Sequence, residues 1–215
     1  MMGQAVTRNA LVLSVFAIST AAMLAMTNMT TLDRISCNQE QALRQSLLDV
    51  MPADSFNNAL LADSITVSDP RLGRGQHMIY RARLDGQNSG LVLQSTAGDG
   101  YGGAIRLLVG VNIDGDITGV RVTPPHNETP GLGDGIDIRK SDWITSFDGR
   151  SLNNPQAKGW AVKKDGGIFD GFTGATITPR AVVGAVHKTL QYVAEQQAML
   201  FDLPAMDLIE ERCDD

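Results

Sequence analysis

The chain has 215 residues, 43% of them hydrophobic, which is enough for one globular domain with its own core and little more. Its formal net charge is −6 and its Lys and Arg residues form no cluster, which excludes the basic footprint of a nucleic-acid binder. The 22 glycines gather in the middle of the chain, often beside Asp or Asn, and indicate many tight turns in a strand-rich fold rather than disorder.

The first element in chain order is apolar. No charged residue occurs from Asn9 to Leu32, and "ALVLSVFAISTAAMLAM" with its flanks is long enough to cross a bilayer, which takes about 20 residues. A cleaved signal peptide has a shorter apolar stretch, about 7 to 15 residues, ending at a small-x-small site, and no A-x-A triplet is present. Arg8 is the only charged side chain before the span, so the positive-inside rule places the N-terminus in the cytoplasm and the remainder outside it. The expected organisation is therefore residues 1–32 as a short cytoplasmic N-terminus with a transmembrane anchor, and residues 33–215 as an extracytoplasmic domain. Cys37 and Cys213 lie near the two ends of that domain, and spacing alone does not show whether they meet. Two cysteines and three histidines, His77, His126 and His187, offer no convincing metal constellation.

After the span, "NQEQALRQSLLDVM" sets Leu43, Leu47 and Met51 on one helical face, and Pro52 stops it. Runs of strand character follow: "HMIYRARL" from His77, "SGLVLQSTA" from Ser89, "AIRLLVGVNI" from Ala104 and "ITGVRVTP" from Ile117. The last two are joined by "DGD", a hairpin signal, so the simplest sheet is antiparallel. From Pro124 to about Phe169 the pattern dissolves into Gly, Pro, Asp and Asn, with one short helix near Asp142 to Phe147. Val183, Val186, Leu190 and Val193 then repeat at helical spacing and predict an amphipathic helix across the sheet, capped by Thr178 with Pro179 at its first position. The fold class is α+β.

Three stretches exceed what a plain turn requires. "DGFTGATITP", residues 170–179, puts Thr173, Gly174, Ala175 and Thr176 at the start of that helix. Unpaired N–H groups and the helix dipole favour an anion such as phosphate there, and the small residues let a ligand approach the backbone. Taken alone, this pattern fits a structural turn as well as a phosphate-binding one. "HNETPGLGDGI" is a loop in which Leu132 is a candidate to cover a flat aromatic ligand, while Glu128 has no paired carboxylate or nucleophile that would make a hydrolytic site. "GDGYGGAIR" holds one aromatic, Tyr101, and lacks the G-K-[ST] ending of a phosphate loop.

Together, "TGAT" at 173–176 after Asp170 and before "ITP", "ETPGLG" at 128–133 and "GYGG" at 100–103 resemble the FMN-binding domain family over essentially the whole chain. Length, the single N-terminal span and motif order are similar to the G subunits of the Rnf (Rsx) ion-translocating electron transport complexes. That branch is related to the C subunits of the sodium-translocating NADH:quinone oxidoreductases. The resemblance implies that the last Thr of the S/T-G-A-T motif, Thr176, carries FMN through a phosphoester bond. It implies that a separate flavin transferase installs the FMN from FAD with magnesium and recognises the surroundings, Asp170 included. It implies that Glu128, Thr129, Leu132 and Gly133 line the flavin, with Tyr101, Thr173, Gly174 and Ala175 in the same set. Thr173 keeps the hydroxyl where many members have Ser.

The same resemblance implies a redox subunit, not a complete enzyme, working with the membrane and iron–sulfur or flavin subunits of a ferredoxin- and NAD-linked complex. Its place is the bacterial inner membrane, with the main domain on the periplasmic side. Two other readings stay open on the residues alone: a membrane-anchored module holding a phosphate-bearing ligand non-covalently, and a structural subunit whose "TGAT" only begins a helix.

Overall fold

A computed structural model describes residues 2–206. The first element, α1, runs without a break from Met2 to Leu48. The sequence suggests a span and then a separate helix; the charged residues after Leu32 interrupt the hydropathy, but no Gly or Pro interrupts the backbone, and one helix results. By length and composition α1 can cross a membrane. Several of its hydroxyl groups are satisfied within the helix: Ser19, Thr20, Thr27 and Thr31 each donate to the carbonyl four residues back. Such bonding suits an apolar solvent, where an unpaired donor is costly. Cys213 lies outside the described residues.

A compact unit begins at Arg44. The last turn of α1 buries Leu47, and the chain then leaves the helix with Val50 and Met51 buried as well. The helix thus ends at Leu48, ahead of the expected stop at Pro52. Val50 sits directly on two strands. Gly110 and Gly119 are cross-strand partners, and a Cβ at either would meet the Val50 backbone at 2.2 and 2.9 Å. Only glycine on both strands lets this turn seat, and Thr118 Oγ1 fixes it by donating to the Val50 carbonyl at 2.5 Å.

The sheet is an antiparallel meander of five strands in chain order: β1 (Ser64–Val67), β2 (His77–Leu84), β3 (Gln87–Gly100), β4 (Gly103–Asn112) and β5 (Ile117–Thr123). The four predicted strands are present. β1, only four residues long at the sheet edge, is the strand that the sequence pattern does not announce. Leu91, Val92 and Leu93 are all fully buried, so both faces of β3 are covered, which explains its continuous apolar run. Leu91 and Leu93 face the main core with α2, and Val92 faces the side on which the Val50 turn is seated.

Helix α2 (Ile177–Asp202) packs on β3 and β4 through Val182, Val183, Val186, Leu190 and Val193, all buried, as its periodicity requires. Arg81 of β2 fastens its far end. That buried guanidinium pairs with Asp63 and donates to the carbonyls of Leu200, Phe201 and Leu203, which are last-turn acceptors the helix itself leaves open. Residues 124–172 form irregular chain with short 3-10 turns, including the expected one at Asp142–Phe147. A set of stacked rings stiffens it: Phe147 lies 4.6 Å from Phe169 and 6.3 Å from Trp160, and Trp160 stacks on His187 of α2 at 5.2 Å.

Candidate functional site

The first turn of α2 gathers the "TGAT" and "ETPGLG" stretches, and the "GYGG" hairpin joins them through Glu128. Phe172, Thr173, Gly174 and Ala175 make a tight turn, closed by the Ala175 N–H donating to the Phe172 carbonyl at 3.1 Å. Gly174 takes φ +80, a conformation that L side chains resist, so the glycine of the motif is a requirement of the turn. Thr173 and Gly174 are exposed, and Ala175 and Thr176 half-buried.

Thr176, not Thr178, occupies the N-cap position of α2. Its hydroxyl makes no capping bond, the first turn contains no acidic residue, and Pro179 has no N–H. The Ile177 and Thr178 N–H groups have no acceptor among the described residues. The end of a 26-residue helix is thus open and partly positive beside the Thr176 hydroxyl. Thr178, the expected cap, is instead buried, and its Oγ1 donates to Glu128 Oε2 at 2.5 Å. A buried carboxylate competes for the hydroxyl more strongly than a backbone N–H does for the hydroxyl oxygen.

Glu128 lies in the interior, only 5% exposed. Its other oxygen, Oε1, accepts from the Gly102 N–H at 2.9 Å, on the two-residue turn between Gly100 and Gly103. Gly133 packs against the same carboxylate: a Cβ there would stand 2.5 Å from Oε2 and 3.3 Å from Thr178 Oγ1. Thr129 is exposed, and its carbonyl gathers the N–H groups of Leu132, Gly133 and Asp134 at 3.1, 3.0 and 3.3 Å. That compact loop presents Leu132 outward at 46% exposure, with its Cδ2 3.6 Å from where a Gly174 side chain would begin. Tyr101 is 70% exposed at the tip of the hairpin, adjacent to the Gly102 amide that Glu128 holds. Exposed Leu132 and Ile177 next to the open helix end, with Tyr101 at the hairpin tip, make a surface suited to a flat ring attached to an anionic group.

Asp170 precedes the turn on the outside. Its carbonyl accepts from the Trp143 indole N–H at 2.7 Å and its carboxylate pairs with Lys163 at 2.5 Å. The Trp143 ring lies 5.2 Å from that of Phe172, so one indole braces both ends of the segment leading into "TGAT". Neither Trp143 nor Lys163 stands out in the sequence, because each acts across more than four residues of irregular chain. Asp134 is equally silent there: it is buried and accepts from the Gly131 N–H at 2.7 Å. Further along the loop, hydrogen bonding by Arg139, aided by His126, holds the Asp137 carboxyl down at about 2. Among the described residues no group of His, Cys, Asp and Glu is placed to hold a metal ion.

The meander, the crossing helix and an anion-ready turn flanked by exposed apolar side chains define an FMN-binding domain, and residues 100–191 match the model of that family. Residues 1–50 match the RnfG N-terminal region. The G subunits of the ion-translocating oxidoreductase complexes of Pseudomonas aeruginosa (strain UCBPP-PA14) and Escherichia coli (strain K12) are each 49% identical to this chain. The alignments run over 187 and 186 residues, covering 86% of the chain and 87% and 88% of those proteins. The corresponding protein of Shewanella loihica is 44% identical over 206 residues, 95% of this chain and 97% of that one. The chain belongs to the family of G subunits of ion-translocating oxidoreductase complexes.

Proposed function

We propose that this chain is an electron-carrying flavoprotein subunit of a membrane-bound, ion-translocating oxidoreductase of the Rnf (Rsx) type, with FMN held by a phosphoester to Thr176. The observation that carries the reading is the open N-terminus of α2: a half-buried Thr176 hydroxyl at an uncapped, partly positive helix end, with Leu132 beside it. FMN supplies one- and two-electron redox chemistry when bound. The chain's own residues hold and orient it. Thr176 Oγ1 would form the link, the Ile177 and Thr178 N–H groups would be available to the phosphate, and Leu132 and Tyr101 would be available to the ring.

Attachment uses FAD as donor. The Thr176 oxygen would form the new P–O bond as the bond between the donor's two phosphates breaks, with AMP leaving and the hydroxyl proton passing to it or to water. A flavin transferase carries this out, with Asp170 and its Lys163 partner on the exposed approach to the acceptor. Residues 1–32 anchor the chain, residues 33–215 lie on the periplasmic side of the inner membrane, and ferredoxin- and NAD-linked partner subunits exchange the electrons. A covalent link suits that compartment, where a dissociated cofactor would be lost by dilution.

The test is intact mass of the full-length protein under denaturing conditions after production with an active transferase, with peptide mapping around Thr176. FMN on Thr176, absent in Thr176→Val, is the expected result. An unmodified Thr176 alongside a flavinylated control substrate would overturn the covalent reading, and flavin that binds the native chain but is lost on denaturation would favour the non-covalent module.

A further inference from the structure

Glu128 is expected from its motif to touch the flavin, yet its carboxylate is turned inward. Its two oxygens go to two segments far apart in the chain, Gly102 at 26 residues' separation and Thr178 at 50. No cation pairs with it among the described residues. Burying a carboxylate on neutral donors alone is costly, and an apolar side chain of similar volume would fill the same space with less penalty. The sequence also makes room for it. A Cβ at Gly100 would stand 2.9 Å from Oε1, one at Gly133 2.5 Å from Oε2, and one at Gly102 2.1 Å from the Asn127 carbonyl oxygen. Three glycines from two motifs thus close around one acid.

We propose that Glu128 is a positioning residue for flavin attachment: its carboxylate ties the first turn of α2 to the Gly100–Gly103 hairpin and thereby sets the Thr176 hydroxyl against Leu132 and Tyr101. The proposal rests on the reading of Thr176 as the acceptor. Thr176 and Thr178 share one helical turn, so the Glu128 to Thr178 bond fixes the rotation and height of the helix start at which the acceptor sits. The bond to Gly102 fixes the peptide next to Tyr101. Leu132 and Gly133 follow Glu128 in the same tight loop. One acid therefore holds the helix start, the Leu132 loop and the Tyr101 hairpin in a common frame. Misplacing a reacting group by about 1 Å can lower a rate on the order of 100-fold, so releasing this tie acts on attachment even where the fold survives.

The experiment measures the initial rate of FMN addition to the full-length, unloaded chain with FAD, magnesium and flavin transferase, read as mass gain of the denatured protein. Variants are Thr178→Ser, Thr178→Val and Glu128→Leu, with hydrogen exchange of the Gly102 and Ile177–Thr178 amides followed in the unloaded proteins. Thr178→Ser keeps the donor and is expected to load at about the wild-type rate. Thr178→Val is the same size without the donor, and its loading rate is expected to fall about tenfold or more, as a drop in kcat with little change in KM for the chain. Faster exchange at the named amides, with unchanged exchange in β3 and β4, should accompany it.

If Thr178→Val fails to fold, Glu128→Leu decides by the same rate and exchange measurements, since leucine offers neither Gly102 nor Thr178 a hydrogen-bond partner. Loading of folded Thr178→Val or Glu128→Leu at the wild-type rate, or Thr178→Ser as slow as Thr178→Val, would overturn the proposal. Absence of FMN from Thr176 of the wild-type chain would instead remove the functional reading on which it stands.

Discussion

Replacing Gly133 by alanine is a sharp stability test of the buried junction, because the added atom is small and its collision is specific. The new Cβ would lie 2.5 Å from Glu128 Oε2, 3.3 Å from Glu128 Cβ and 3.3 Å from Thr178 Oγ1. The carboxylate must withdraw and give up its bond to Thr178, a charge-assisted hydrogen bond worth about 2 kcal/mol. Crowding in a packed interior adds about 1 to 3 kcal/mol. The expected loss is therefore about 3 to 5 kcal/mol, or roughly 10 °C in melting temperature for a unit of this size. Gly131→Ala is the control. Gly131 has φ +75 but open space where its Cβ would go, so it should lose only about 1 to 2 kcal/mol from backbone strain. Both tryptophans, Trp143 and Trp160, belong to the same compact unit, so intrinsic fluorescence of the full-length protein in detergent follows its unfolding. If Gly133→Ala melts no lower than Gly131→Ala, the carboxylate is not confined as described.

Arg81→Met removes the guanidinium that serves Asp63 and three carbonyls at the end of α2; a stability loss of about 3 to 5 kcal/mol is expected, and a loss under about 1 kcal/mol would show the clamp is idle. Burial pushes the His77 and His187 imidazoles below their ordinary value, so protonation favours the unfolded chain. Their stabilising effect is present above about pH 6.5 and declines as the pH falls below it, so the melting temperature should drop as the pH is lowered from about 6.5, and by less in His77→Gln. Asp137 shows the same sign at lower pH. Its carboxyl is held at about 2, chiefly by hydrogen bonding from Arg139, so its contribution is present above the ordinary carboxylate value near 4 and vanishes on acidification toward 2. Asp137→Asn should flatten acid unfolding in that window; an unchanged acid limb would refute the pairing.

Periodicity makes most of the fold legible before any coordinates. Alternating or continuous apolar runs locate β2 to β5, and the valine and leucine spacing of α2 identifies its buried face. What stays hidden depends on partners distant in sequence. β1 is four residues at an edge, too short to produce a pattern. Thr178 and Pro179 read locally as a helix cap and first residue, and only the acid 50 residues upstream reveals that the hydroxyl is engaged elsewhere. The glycines of "GYGG" and "ETPGLG" are visible as turns, but their crowding around Glu128 exists only once three segments meet. Trp143 and Lys163, which brace Asp170, sit in irregular chain where no period marks a role. Motif identity thus indicates which residues matter, and the packing separates the half-buried Thr176 from the buried acid behind it.

The meander has an implication for how the protein matures. Each strand pairs with its sequence neighbour, so the five-stranded sheet can assemble in the order in which the chain arrives. The surroundings of Thr176 cannot, because the Gly102 turn, the Glu128 loop and the last helix close on one another only when α2 has docked. A chain interrupted before α2 would hold every strand and none of the assembled junction around Glu128. Under the proposed attachment, a modified Thr176 would therefore report that the C-terminal helix has found its place on the sheet.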